Sequence, residues 1–139
     1  MKDVQFLLVE DNEIDVMAFV RGLKRQRIAN PLIVAGNGVE ALQILRGEHP
    51  DKVIERPFMI FLDMNMPMMN GIEFLEELRQ DEELCASVVF VLSTSDHHSD
   101  LFAAYKNNVA GYILKQDLGD ACSNLHEMIS SYGRIVVLP

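Results

Sequence analysis

The chain has 139 residues, 49% of them hydrophobic, which suffices for the core of one domain without disulfide or metal cross-links. Its 12 lysines and arginines are outnumbered by 21 aspartates and glutamates, giving a formal net charge of −9. This balance argues against a nucleic-acid surface, because binding to phosphate backbones requires clustered cations.

Short apolar runs alternate with longer segments of helical periodicity along the chain. The predicted strands are Gln5–Val9, Leu32–Ala35, Phe58–Leu62, Val88–Leu92 and Tyr112–Leu114. Most of these runs lack in–out alternation, which is typical of strands covered on both faces. The predicted helices are Glu13–Gln26, Val39–Leu45, Ile72–Gln80, Asp100–Asn107 and Leu118–Ser131. One domain is expected over residues 1–139, with residues 132–139 as a short C-terminal tail.

Five successive βα units predict an α/β fold with a doubly wound, five-stranded parallel sheet. Helices then cover both faces of the sheet. Ligands of such sheets bind at the carboxyl ends of the strands, so functional residues are expected directly after each strand.

The cytoplasm is the location expected from the sequence. The N-terminal apolar run ends at Glu10 and is too short for a signal peptide or a membrane span. The two cysteines, Cys85 and Cys122, form neither a CxxC motif nor a metal-ligand pair. Free thiols of this kind are typical of a reducing compartment.

Polar side chains follow four of the five predicted strands. Glu10 and Asp11 follow the first strand, Asp63 the third, Ser93 the fourth and Lys115 the fifth. Two carboxylates about 4 Å apart repel by roughly 4 kcal/mol at an effective dielectric constant near 20, so three of them together need a cation or a raised pKa. Mg²⁺ prefers carboxylate ligands, and a lysine suits a tetrahedral anion. Because aspartate can carry a phosphoryl group, this set predicts phosphoryl transfer.

These residues resemble the receiver domain of two-component response regulators. The resemblance covers about Val4 to Ser131 and includes the segment Asp63-Met64-Asn65-Met66-Pro67 and Gly71. The intervals from Asp63 to Ser93 (30 residues) and to Lys115 (52 residues) match the family pattern. The resemblance implies the flavodoxin-like (βα)5 topology. It also implies a phosphoacceptor with slow autodephosphorylation rather than an enzyme acting on a separate substrate.

The resemblance also implies a phosphoryl donor and a metal. Asp63 would be the phosphoacceptor, taking the group from a phosphohistidine on a partner histidine kinase. Asp11 would bind Mg²⁺ directly, Glu10 would bind it through water, and Asn65 would contribute its backbone carbonyl. The acidic pair begins with Glu in this chain, whereas in this family it more often begins with Asp.

Three further residues match the family's signalling residues. Ser93 would hydrogen-bond a phosphoryl oxygen, and Lys115 would form an ion pair with it. Tyr112 matches the aromatic switch that turns inward as the hydroxyl moves toward the phosphate. Phosphorylation would thereby change the surface of the fourth helix, fifth strand and fifth helix. Gln116 departs from the family pattern, which usually has proline after the lysine.

The chain is more specifically similar to stand-alone regulators that partner phytochrome-type histidine kinases. The similarity lies in Leu8–Asp15, in the stretch His49–Pro57 and in the apolar ending Val136–Pro139. That subgroup tends to form homodimers through the fourth helix, fifth strand and fifth helix. The tail is expected to contribute to such a dimer.

Other functions remain open at this level. A pseudo-receiver that binds a protein partner without phosphorylation is the main alternative, and Gln116 gives it some support. Gly36–Ala41 fits a loose dinucleotide fingerprint, but it follows the second strand rather than the first. His97 and His98 fall in a polar segment and are expected to be solvated. A flavin carrier is disfavoured, because the loop after the first strand is acidic.

Overall fold

The computed structural model describes residues 3–139, in which five strands alternate with five α-helices. The strands are β1 (Gln5–Val9), β2 (Leu32–Ala35), β3 (Phe58–Asp63), β4 (Val88–Ser93) and β5 (Gly111–Leu114). The helices are α1 (Glu13–Arg25), α2 (Gly38–Leu45), α3 (Gly71–Gln80), α4 (His98–Lys106) and α5 (Ser123–Ile135). No helix in this range is both long and apolar enough to cross a membrane.

All strand pairs are parallel, and the strand order is β2-β1-β3-β4-β5. This arrangement confirms the predicted α/β fold with a five-stranded parallel sheet. The chain reverses its direction of travel across the sheet between β1 and β3, which is where ligands bind in folds of this type.

Two apolar layers cover the sheet, one on each face. On one face, residues such as Leu7 and Ile60 pack with the buried sides of α2, α3 and α4. On the other face, Phe6 and Phe61 pack with α1 and α5. All six residues of β3 are buried, which explains why its sequence shows no in–out alternation.

The fifth helix differs from its prediction. Leu118–Ser131 was expected to be helical, but the chain forms 3-10 turns at Lys115–Asp117 and Asp120–Cys122, and α5 begins only at Ser123. Ala121 and Cys122 have φ values of 49° and 59°, which an α-helix cannot contain. At its other end α5 continues to Ile135, so the first four residues of the predicted 132–139 tail are helical.

His126 connects α5 to α1 in the interior. Its Nε2–H donates to the carbonyl of Phe19 at 2.9 Å, and the two rings meet edge to face, 4.7 Å apart. Within residues 3–139, its Nδ1 is a buried side-chain nitrogen without a hydrogen-bond partner. Burial lowers the pKa of His126, while the Phe19 carbonyl opposes this shift weakly.

The stability of the fold should therefore decrease on acidification through His126. Because its pKa is lower in the folded chain than in the unfolded one, the stabilisation is complete above the unfolded value and is lost as the pH falls. We expect the unfolding free energy of the wild type relative to His126→Leu to fall by up to about 1.4 kcal/mol per pH unit below pH 6.5. Urea unfolding at pH 7.5 and pH 5.5 measures this difference. The same difference at both pH values would contradict the assignment.

Candidate functional site

Three carboxylates meet at the carboxyl ends of β1 and β3. Val9 is paired with Leu62 in the sheet, so the residues that follow them, Glu10 and Asp63, lie side by side. One carboxylate oxygen from each of Glu10, Asp11 and Asp63 lies within 4.8 Å of the others. Glu10 and Asp63 are buried, whereas Asp11 is exposed to the cleft. Oxygen ligands of this number and charge fit a hard divalent cation such as Mg²⁺.

The turn between β1 and α1 is fixed by Asn12, the N-cap of α1. Its side-chain oxygen accepts hydrogen bonds from the backbone N–H groups of Ile14 and Asp15 at 2.9 and 3.1 Å. This satisfies two N–H groups of the first helical turn. The cap places Asp15 beside the cleft, close to the carboxylates that follow β1.

Lys115, directly after β5, is the ammonium of the cluster. Its Nζ lies 2.8 Å from Glu10 Oε1, 3.0 Å from Asp15 Oδ2 and 3.2 Å from Asp63 Oδ1. Burial alone would lower the pKa of Lys115, but hydrogen bonds and charges of these carboxylates outweigh burial and raise that pKa. The ammonium therefore stays charged in the cleft.

Glu10 carries the main electrostatic cost of the cluster. Burial raises its pKa to about 8; the neighbouring Asp63 adds to this shift, and the hydrogen bond from Lys115 opposes it. A single ammonium thus leaves a buried carboxylate poorly compensated. A cation bound by the three carboxylates would supply the missing positive charge, so the residues present fit a metal.

The remaining predicted residues meet on the loop between β4 and α4. Ser93 is fully buried, and its Oγ accepts the backbone N–H of Ser95 at 3.0 Å. The Tyr112 hydroxyl donates to the backbone carbonyl of Ser95 at 2.8 Å. Ser95 Oγ in turn donates to the Asp100 carboxylate, in the first turn of α4, at 2.6 Å. Both predicted switch residues therefore bind one residue, Ser95.

Most of the predicted site residues line one open cleft of about 710 Å³. They are Glu10, Asp11, Asp63, Asn65 and Lys115. Thr94 rather than Ser93 lines this cleft, and Gln116 lines it as well. The sequence analysis missed Asp15, Thr94 and Ser95 as site residues. Asp15 had one signal, its place in the first turn of the helix that follows the acidic pair.

The dinucleotide fingerprint at Gly36–Ala41 has a different structural explanation. The backbone N–H of Gly36 donates to Glu40 Oε1 at 2.7 Å, so a carboxylate of the same loop binds this N–H group. Glu40 Oε2 also contacts His49 at 3.1 Å and Lys52 at 3.3 Å. Glu40 thus connects this loop to the segment that follows α2.

The adjacent histidines join no metal site in the described part of the chain. His97 is the N-cap position of α4, without a side-chain cap, and the ring of His98 lies 6.3 Å from that of Phe102. Among the methionines that follow β3 closely, Met66 is buried and Met68 is highly exposed. Only Met68 of these two is available to a partner.

Comparison with known proteins agrees with this geometry. The model of the response regulator receiver domain family matches residues 6–129. Response regulator Rcp1 of Synechocystis sp. is 33% identical over 134 residues, which cover 96% of this chain and 91% of that protein.

Two solved structures extend the similarity to the fold. The Mn²⁺-bound form of Rcp1 matches with a TM-score of 0.84 and 33% identity, over 99% of both chains. The phosphorylated cyanobacterial phytochrome response regulator RcpA matches with a TM-score of 0.83 and 30% identity, also over 99% of both chains. These neighbours confirm the flavodoxin-like receiver topology. The chain belongs to the response regulator receiver domain family and is similar to phytochrome response regulators.

Proposed function

We propose that this protein is a phosphorylation switch in which Asp63 accepts a phosphoryl group from a partner histidine kinase. The observation that carries the proposal is the position of Asp63, in a carboxylate cluster and 3.2 Å from the Lys115 ammonium. Family membership supports the histidine kinase as the donor. The protein acts as a phosphoacceptor and not as an enzyme with a separate substrate.

Phosphoryl transfer forms one bond and breaks another. An oxygen of the Asp63 carboxylate attacks phosphorus, so an O–P bond forms while the P–N bond of the kinase phosphohistidine breaks. The electron pair of the broken bond stays on the imidazole nitrogen, which takes up a proton from water. Slow hydrolysis of the resulting acyl phosphate returns Asp63 to its carboxylate form.

The surrounding groups stabilise negative charge on the transferred group. Glu10, Asp11, Asp63 and the backbone carbonyl of Asn65 would hold Mg²⁺, which when bound neutralises phosphoryl oxygens. Lys115 lies close enough to Asp63 to pair with another of these oxygens. Positioning and charge neutralisation are the main sources of catalysis in this reaction class.

The signal leaves the site through Ser93 and Tyr112. A phosphoryl group adds about −1.5 to −2 charges and three acceptor oxygens, to which the Ser93 hydroxyl can donate while it still accepts the N–H of Ser95. A movement of Ser93 displaces Ser95, which holds Tyr112 on β5 and Asp100 on α4. The surface formed by α4, β5 and α5 thereby changes with phosphorylation.

Similarity and exposed apolar groups support the proposed partner and the proposed assembly. The neighbour RcpA is a phytochrome response regulator, which supports a phytochrome-type kinase as the partner. Phe102 and Tyr105 on α4 are 62% and 49% exposed, and Ile135 and Val137 project near the C-terminus. We assign these groups to a homodimer through α4, β5, α5 and the tail.

The free thiols of Cys85 and Cys122 support a cytoplasmic location.

The phosphoacceptor assignment predicts a covalent adduct on Asp63. Incubation with acetyl phosphate and Mg²⁺ should add one phosphoryl group, detected by intact-mass spectrometry, and the adduct should require the metal. Asp63→Asn should abolish it, whereas Asp51→Asn, at an exposed position outside the cleft, should leave it unchanged. A folded wild type that acquires no adduct would favour the phosphorylation-independent pseudo-receiver.

Lys115 should control the rate of this reaction. Lys115→Ala removes the ammonium beside Asp63, and we expect phosphorylation about 10²-fold slower, a typical loss for one stabilising charge. The matched control is Lys52→Ala, since Lys52 binds Glu40 and the carbonyl of Val34, outside the cleft. A time course of adduct formation measures both variants. Equal rates for wild type and Lys115→Ala would exclude this role.

Dimerisation should respond to phosphorylation. Sedimentation equilibrium with and without beryllofluoride, a phosphoryl analogue, should give different dimer dissociation constants. Phe102→Asp should weaken the dimer, because it places a charge in the proposed interface. Val53→Asp is the control at another highly exposed apolar residue, outside that surface. Identical sedimentation in both states would refute the coupling but leave the phosphorylation of Asp63 intact.

A further inference from the structure

Asp15 is a carboxylate of the cleft that the proposed phosphoryl transfer does not use. It lies in the first turn of α1, and its side chain accepts a 3.0 Å hydrogen bond from Lys115 Nζ. The N-terminal end of a helix favours a negative charge at this position. The contact joins residues that are 100 positions apart in sequence.

Lys115 shares its ammonium among three carboxylates. Nζ donates to Glu10 at 2.8 Å and to Asp15 at 3.0 Å, whereas Asp63 is the most distant of its three carboxylates at 3.2 Å. An ammonium has three N–H donors, and these three carboxylates occupy them. To bind an oxygen of a phosphoryl group on Asp63, Lys115 must therefore release one of the three.

Asp15 is the partner that Lys115 can leave at the lowest cost. The Asp15 side chain is 45% exposed, compared with 2% for Glu10 and 6% for Asp63. A released Asp15 carboxylate regains water, whereas a released Glu10 would remain a buried charge without its partner. Asp15 also lies outside the set of three carboxylates that fits a metal.

We propose that Asp15 is a positioning residue that restrains Lys115 in the unphosphorylated protein and thereby slows phosphoryl acceptance by Asp63. The inference rests on the proposed function of Asp63. Breaking the contact between Asp15 and Lys115 is then part of activation, and its strength sets how readily a donor phosphorylates the protein.

The test compares three variants that keep the length or the charge of the side chain. Asp15→Asn removes the restraint and one negative charge. Glu13→Gln removes the same charge from the same exposed helical turn but leaves the Lys115 contact intact. Asp15→Glu keeps a carboxylate that can still reach Lys115. Circular dichroism establishes that each variant is folded.

The first readout is the initial rate of Asp63 phosphorylation by acetyl phosphate with Mg²⁺. We expect Asp15→Asn to be about fivefold faster than the wild type, as for the loss of a partly exposed ion pair. Glu13→Gln should change the rate by less than about twofold, and Asp15→Glu should stay near the wild-type rate. Equal acceleration in Asp15→Asn and Glu13→Gln, or a slower Asp15→Asn, would overturn the restraint.

The second readout does not depend on phosphorylation. Brief labelling with acetic anhydride, followed by peptide mass analysis, reports the reactivity of the Lys115 amine. Loss of its Asp15 partner should increase labelling of Lys115 about fivefold in Asp15→Asn and not in Glu13→Gln. If the wild type accepts no phosphoryl group, the proposed function fails, and labelling alone decides on the restraint. Unchanged Lys115 labelling in Asp15→Asn would then reject it.

Discussion

Electrostatic repulsion among three carboxylates is the constraint on which this structure depends. The parallel register of β1 and β3 places Glu10 beside Asp63, and the turn after β1 adds Asp11 within 4.8 Å. One ammonium, that of Lys115, contacts Glu10 at 2.8 Å and Asp63 at 3.2 Å. Because one positive charge cannot balance this cluster, its three carboxylates fit a further cation. A site of this kind stabilises the charge that phosphoryl transfer develops.

The same cleft is connected to a distant surface through few contacts. Ser95 binds Ser93 through its backbone N–H, Tyr112 through its carbonyl and Asp100 through its hydroxyl. One residue therefore joins the end of β4, the middle of β5 and the first turn of α4. In the proposed switch, a small displacement beside Asp63 would therefore act on three elements together, since their hydrogen bonds share this residue.

Local sequence signals account for most of the fold but fail in the segment before α5. The strands are recognisable because they are apolar runs, and Asn12, the N-cap of α1, is of a residue type that favours this position. Residues 118–122 have suitable helical periodicity, yet Ala121 and Cys122 adopt left-handed conformations. Periodicity reports which side chains are apolar and carries no information on the backbone conformation that tertiary packing imposes.

The sequence by itself determined the order of the elements, the type of sheet and the polar residues at the ends of the strands. It also determined the family, through the intervals between Asp63, Ser93 and Lys115. Only the tertiary structure decided which of these groups touch. The partners of Lys115 at Glu10 and Asp15 are 105 and 100 residues away, and no local pattern encodes contacts at that separation. They form because the register of the sheet and the cap of α1 bring separate segments to one point.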